Sequence, residues 1–413
     1  MKAVQFRFSI PRYAVGLALG RVAPAALWNG LTCTRLADVP PPDLPAPDWV
    51  RIRTRLGGIC GTDLSTIHLK TSPYYSPLTS FPFVFGHENV GLVEELGPGA
   101  EGWEVGERVV VEPLLWCRPR GFAELCEYCA RGEINRCQRF AEGVLAPGVM
   151  IGTCRSTGGS WSESFVAHPS QLYRVPEGIS DENALMVEPL ACCLHAVVNS
   201  FPDDGETVLI IGAGTIGLCT LAALRGLGSR ARIGVAARYP FQAEAARRLG
   251  ADEVIVSREA DLYAEVAGRM GGRLYQPPVG KRILVGGVDR AYECSGSDAA
   301  LDDALRLTRS GGEVVVLGVP GAAAAVDWTA IFAQELSVRA YTIYSHADRF
   351  EGRTWRTFDL ALHLLAEGKV DLAWLVTHRF RVEEVGQALR LLHNKRSGGA
   401  IKAVFAFDGV GGS

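Results

Sequence analysis

One stretch constrains this chain more than any other: the run VLIIGAGTIGLCTLAALRGLG, with Gly212-x-Gly214-x-x-Gly217 inside it. The apolar residues before the triplet read as a buried strand, and those after it as a helix. Gly212 permits the tight turn, Gly214 lets the backbone approach a pyrophosphate, and Gly217 lets the helix pack on the strand. Thr215 and Ile216 open that helix, whose unpaired N–H groups face the phosphates. A bare triplet is weak evidence, and its context is what strengthens it. From about Glu206 strands and helices alternate: TVLII, RIGVAA, FQAEAARRLGA, EVIV, RAYECSG, ALDDALRLTRSG and EVVVLGV follow in turn. Such alternation builds a doubly wound parallel sheet, here over residues 199–344. A membrane span is the poorer reading of the apolar run, because it carries five glycines and an Arg.

The next strand bears on which dinucleotide is bound. About 20 residues past the triplet, NAD sites place an acidic residue for the ribose hydroxyls. Here the sequence reads Ala237-Arg238-Tyr239. No carboxylate repels a 2′-phosphate, and the guanidinium is placed to bind one, so NADP is expected over NAD. The competing reading makes Arg238 a solvated surface charge.

With 413 residues the chain suits two domains. Lys and Arg number 42 against 45 Asp and Glu, so no field of one sign draws it to nucleic acid or anionic lipid. Eleven cysteines, an odd number in a large chain, favour a reducing compartment (the cytoplasm) and metal or thiol chemistry over disulfides. Residues 1–198 read as β-rich, with DWVRIRTRLGGI, VGLVEELG and ERVVVEP as strands and Ala14–Pro47 as a surface loop. Residues 345–413 supply a helix, FDLALHLLAEGKV, and a last strand, AIKAVFAF, that complete this first domain.

Three scattered segments read as one metal site. Cys60 follows a strand, His87 and Glu88 lie in FGHEN, and Glu188 begins a helix in MVEPLACCLHAV. One thiolate, one imidazole and one or two carboxylates suit zinc with a position left open. Singly, each has a plainer reading: a core thiol, a satisfied core histidine, a carboxylate at a helix N-terminus. A second cluster, Cys117, Cys126, Cys129 and Cys137, sits in a polar segment without apolar periodicity. It reads as a zinc staple, a nucleic-acid finger or a disulfide knot.

In order and spacing, Gly58-Ile-Cys-Gly-Thr-Asp63, Gly86-His-Glu88, Glu188-Pro-Leu190 and the glycine triplet resemble the zinc-dependent medium-chain alcohol and polyol dehydrogenases. Glu-Pro-Leu points to the sorbitol, threonine and glucose dehydrogenase branch. The resemblance implies a GroES-like catalytic domain joined to a Rossmann domain, and hydride transfer between an alcohol and NAD(P). It implies a catalytic zinc at Cys60, His87 and either Glu88 or Glu188, with Glu88 also in the catalytic set. Thr62 matches the hydroxyl that binds the substrate oxygen and begins the proton path. Where many relatives have a histidine to pass the proton on, this chain has Ser65, with His68 three residues later. His195, Cys192 and Cys193 are expected to pack rather than ligate.

The resemblance also implies a structural zinc on four cysteines, usually spaced C-x₂-C-x₂-C-x₇-C. Cys126, Cys129 and Cys137 keep the last two intervals, but Ala123 stands at the first position, so Cys117 substitutes only if RPRGFAEL loops out. A vestigial loop of free thiols is the alternative. The substrate is a small alcohol or carbonyl compound, its pocket drawn from TIHLKTSPYYSPLTSFPF and the region around Trp161. A homodimer or homotetramer is expected. The segment GGRLYQPPVGKRILVGG is longer than usual and has no assigned role. Two other classes stay open: a zinc-free quinone or enoyl reductase, and a catalytically silent binding protein of the same fold.

Overall fold

The computed structural model describes residues 1–20, 22–319, 321–394 and 398–407. The chain divides into two compact units. The first comprises Met1–Glu188, Ser345–Ala347 and Asp371–Ser413, and the second Pro189–Tyr344 and Asp348–Val370. The division therefore falls at Glu188 rather than at 198. The helix Thr357–Ala366, expected in the first unit, belongs to the second, where buried Phe358, Leu360 and Leu364 give it an apolar face.

The second unit holds a six-stranded parallel sheet in the order Glu253–Val256, Arg232–Ala237, Thr207–Ile211, Val288–Glu293, Thr308–Val316, Ser337–Ala340. The order reverses beside Thr207–Ile211, the switch point at which such sheets bind ligands. The triplet is the turn leaving that strand. Gly212 has φ +103°, which L side chains rarely adopt, and a Cβ on Gly217 would lie 1.8 Å from the Gly212 carbonyl oxygen. A Cβ on Gly214 would meet nothing within 4 Å, so that side of the turn is open. The long segment after the helix Leu262–Met270 forms a hairpin, Arg273–Tyr275 against Ile283–Val285. Buried Leu284 roots it in the core, and Lys281 ties it to Asp302 (2.8 Å) and Asp303 (2.9 Å).

In the first unit the strand Val50–Gly58 pairs with Asn89–Leu96, Lys402–Ala406 and Ser164–Ala167 in a largely antiparallel seven-stranded sheet. Ala14–Pro47 is not the expected loop. It contributes to a helix, Ile10–Leu19, capped by Ser9 with Pro11 in its first turn, and a strand, Thr34–Asp38, paired antiparallel to Lys2–Phe6. Ser9 and Pro11 are ordinary helix-start signals.

Candidate active site

The strand Val50–Gly58 ends against the helix Gly61–Ile67, and Cys60 is that helix's N-cap. A reciprocal cap holds the turn: the Asp63 carboxylate accepts the Cys60 N–H at 3.0 Å. His87 and Glu88 precede the neighbouring strand, and Gly86, at φ +100°, backs onto Trp161 too closely for any Cβ. Cys60, His87 and Glu88 thereby bring one ligand atom each within 4.8 Å of one another. His87 and Glu88 are buried.

Behind His87 stands a residue the sequence reading left without a role. Asp63, also buried, puts Oδ1 3.6 Å from His87 Nδ1. A carboxylate there attracts charge to the Nδ1 edge of the ring and leaves the Nε2 edge for a metal, the side from which metal-bound histidines are usually supported being the first. Burial pushes the Asp63 carboxyl up to about 6, against the pull of His87. Burial also works against charge on His87, but Asp63, Cys60 and Glu188 outweigh it and raise the imidazole well above its ordinary value.

Glu88 is held by a second unassigned residue. Lys402, in the last strand, pairs with Glu88 Oε2 and donates to the Ile59 carbonyl at 3.3 Å. Both side chains are fully buried. Glu188, in the first turn of the helix Val187–Asn199, is buried and acts electrostatically on His87 and Lys402, but lies outside the 4.8 Å group.

Thr62 Oγ1 is 3.5 Å from His87 Nε2, on the ring's ligating edge. Ser65 lies one turn on. His68 packs against His393 (ring centroids 5.4 Å apart) and edge-on to Trp28 (6.0 Å), and among the described residues no side-chain hydrogen bond joins it to Thr62 or Ser65. Trp161 is fully buried and donates to the Gly58 carbonyl at 2.8 Å, so it supports the turn before Cys60 rather than facing a substrate. His195 is a core residue, its Nδ1 2.8 Å from Asp348 in the second unit.

The four-cysteine loop closes. Cys117, Cys126, Cys129 and Cys137 bring their sulfurs within 4.8 Å of one another, and all four are buried despite their polar surroundings. The Cys117–Cys137 sulfur separation is 3.7 Å. Two thiolates on a tetrahedral zinc, each at about 2.3 Å, stand about 3.8 Å apart. Burial pushes Cys117 up to about 11, whereas hydrogen bonding from Cys129 brings Cys137 down to about 6. A shared dication is what lets all four ionise together. Both donor sets, the tetrathiolate and Cys60 with His87 and a carboxylate, thus fit zinc.

In the second unit, Arg238 leaves the strand Arg232–Ala237, and the N–H of Ser257 bonds the Ala237 carbonyl at 2.8 Å from the adjacent strand end. This pairing brings a second cation alongside. The guanidinium carbons of Arg238 and Arg258 lie 5.7 and 5.2 Å from the centre of the Tyr239 ring. Arg258 lacked a sequence signal because it follows a different strand.

Residues 46–177 match the alcohol dehydrogenase GroES-like domain, and residues 215–360 the zinc-binding dehydrogenase domain. The chain is 31% identical to L-idonate 5-dehydrogenase of Vitis vinifera, over 87% of this chain and 88% of that one. The chain belongs to the zinc-dependent medium-chain dehydrogenases. It is also 28% identical to sorbitol dehydrogenase of Bacillus subtilis strain 168, over 88% and 92% of the two chains. A protein from Sinorhizobium meliloti 1021, solved with NADP bound, superposes with a TM-score of 0.70 at 26% identity, covering 91% of this chain and 95% of its own. This dehydrogenase accordingly acts on an alcohol or polyol with zinc and a nicotinamide cofactor. Among its described residues, no helix is long and apolar enough to cross a membrane.

Proposed function

We propose that this dehydrogenase oxidises polyols or related hydroxyl-bearing small molecules with NADP, using Cys60, His87 and Glu88 as the ligands of its catalytic zinc. The buried Cys60–His87–Glu88 group, with Asp63 behind the imidazole, carries the reading. Zinc bound there supplies Lewis-acid polarisation of the substrate hydroxyl. Asp63 favours a proton on the Nδ1 edge of His87 electrostatically, and Lys402 orients Glu88. Thr62 Oγ1 is placed to accept the substrate's hydroxyl proton and pass it to Ser65 or solvent. Glu188 stands in reserve as an alternative carboxylate, and Cys117, Cys126, Cys129 and Cys137 hold a structural zinc. Gly212, Gly214, Thr215, Ile216 and Gly217 cradle the pyrophosphate. The sorbitol and L-idonate relatives favour a polyol or sugar-acid substrate.

For the cofactor, Arg238 and Arg258 flank Tyr239 where a 2′-phosphate would sit, and the Sinorhizobium relative was solved with NADP. One charge-assisted contact corresponds to ~1.4 kcal/mol, or about tenfold in kcat/KM. A screen of sugars, polyols and simple alcohols with both cofactors should show NADP preferred by about that factor or more. Arg238→Ala should erase most of the preference and leave NAD kinetics nearly unchanged. A wild-type preference for NAD sinks the NADP reading. An odd number of cysteines, eleven, in a chain large enough to need no disulfides supports a reducing, cytoplasmic setting. A homodimer or homotetramer is the expected assembly, measurable by light scattering.

A further inference from the structure

The insert between Cys117 and Cys126 contains an unusual residue. Arg120 is fully buried. Its guanidinium donates five hydrogen bonds: Nε to the Leu115 carbonyl (2.9 Å), one terminal nitrogen to Glu142 (2.6 Å) and Leu145 (3.4 Å), the other to Ala146 (3.3 Å) and Gly148 (2.6 Å). Every acceptor is a neutral backbone carbonyl. Among the described residues no carboxylate lies within ion-pair distance. Hydrogen bonds satisfy the donors, but they leave a whole positive charge in the interior, and a buried charge without a counter-charge is costly.

The groups that act on Arg120 electrostatically are Cys154, Cys137, Cys117 and Glu142. Cys154 is engaged with the backbone, its sulfur donating to the Ala146 carbonyl at 3.3 Å. Glu142 is exposed, so water screens its charge, and what remains in the interior is the four-cysteine cluster. A dication held by four thiolates carries two net negative charges, which that interior must also accommodate. The local backbone puts the two together. Phe122 N–H bonds the Cys117 carbonyl (3.1 Å), Gly121 turns at φ +78°, and Val144 N–H bonds the Arg120 carbonyl (3.1 Å). The eight residues between Cys117 and Cys126 thereby fold back onto Cys117 instead of hanging free.

We propose that Arg120 is the internal counter-ion of the four-cysteine metal site and the residue that positions Cys117 within it. The inserted segment is then the device that lets a cysteine at the wrong spacing serve as the fourth ligand. The inference rests on the reading of this loop as a metal site.

The test compares Arg120→Lys, which keeps the charge and loses the fork, with Arg120→Gln and Arg120→Met, which lose the charge. Zinc content by elemental analysis, rate of zinc loss to a chelator, and the thiolate-to-metal absorption after cobalt substitution are measured on each. Wild type should hold two zinc ions per chain, and Arg120→Lys should keep both while melting at a lower temperature. The Gln and Met variants should lose the loop metal at least about tenfold faster, the scale of one charge-assisted contact. Three results overturn the proposal: Gln and Met retaining the loop metal with only a lowered melting temperature, Lys losing metal as fast as Gln, or Lys failing to fold. Wild type without loop metal would instead sink the underlying reading, and the two failures are told apart by that one measurement. If Met does not fold, the comparison of Lys with Gln decides.

Discussion

Lys402 offers the sharpest test of how the catalytic group is held. Its ammonium sits among buried atoms, bonded to Glu88 and to the Ile59 carbonyl. Gly58 closes the other side, since a Cβ there would lie 2.0 Å from Glu88 Oε2. The carboxylate therefore cannot swing to water when its partner is removed. Breaking one half of a buried pair costs about 3–5 kcal/mol, because the surviving charge is left uncompensated. For a unit of this size each kcal/mol shifts the midpoint by about 2–4 °C, so Lys402→Met should lower it by ~6–20 °C. Glu88→Gln in the same background removes the stranded charge and should restore most of that loss. The four proteins of this cycle are compared by calorimetry or urea unfolding, first stripped with a chelator and then with zinc. Zinc should shrink the Lys402→Met deficit, since a cation beside Glu88 takes over part of the ammonium's role. A Lys402→Met loss under about 1 kcal/mol, or a double variant as unstable as the sum of the singles, refutes the argument.

Other outcomes follow from the same geometry. Cys60→Ala and His87→Ala should abolish turnover yet leave dinucleotide binding, followed by fluorescence titration, nearly intact; Glu188→Ala should lose less than either, and activity surviving in the Cys60 or His87 variant would sink the zinc mechanism. Cys126→Ser should reduce the metal from two zinc ions to one per chain and lower the melting temperature; an unchanged zinc content would show that the loop carries none. In the second unit, Asp289 is buried enough to feel desolvation, but the Thr207 N–H and hydroxyl (both 2.7 Å) and Arg309 (2.5 Å) hold its carboxyl below the ordinary 3.8. A depressed carboxyl contributes stability above its unfolded value that is lost as pH falls through the folded one. Asp289→Asn should thus be less stable than wild type at neutral pH, and the gap should close below about pH 4, as followed by acid unfolding; a gap constant down to pH 2 would contradict this.

The parts of the fold that the sequence disclosed are those whose physics is local. Each glycine of the triplet answers to atoms within a few residues, such as the Gly212 carbonyl facing Gly217, and strand–helix alternation needs no partner to be read. The helix Ile10–Leu19 carried start signals too, in Ser9 and Pro11, but Ala14–Pro47, ending in the proline-rich PPPDLPAP, read as surface loop. The placement of Thr357–Ala366 was not legible, because an apolar helical face does not say which core it covers. Asp63 and Arg258 were missed for a related reason. Asp63 reads as part of a cap, and only the fold turns its second oxygen toward His87.

The buried cations point to a signal that was present and passed over. Lys402 interrupts AIKAVFAF, a run otherwise apolar enough to be wholly buried, and Arg120 sits among residues that fold under a cluster of thiols. Neither charge can be neutralised cheaply: a guanidinium stays protonated, and Lys402 is held above its ordinary value, with Glu88 offsetting the burial that opposes it. A cation in a segment that must be buried therefore requires an anion delivered from elsewhere in the chain. For Lys402 that anion is Glu88, distant in sequence and beside the candidate zinc ligands. For Arg120 no buried carboxylate is offered, since Glu142 is exposed to water, which leaves the thiolates. The same rule that assigns Lys402 to the catalytic group by an observed pair thus assigns Arg120 to the four-cysteine loop by elimination, and the charge-conserving Arg120→Lys variant is the measurement on which that elimination stands or falls.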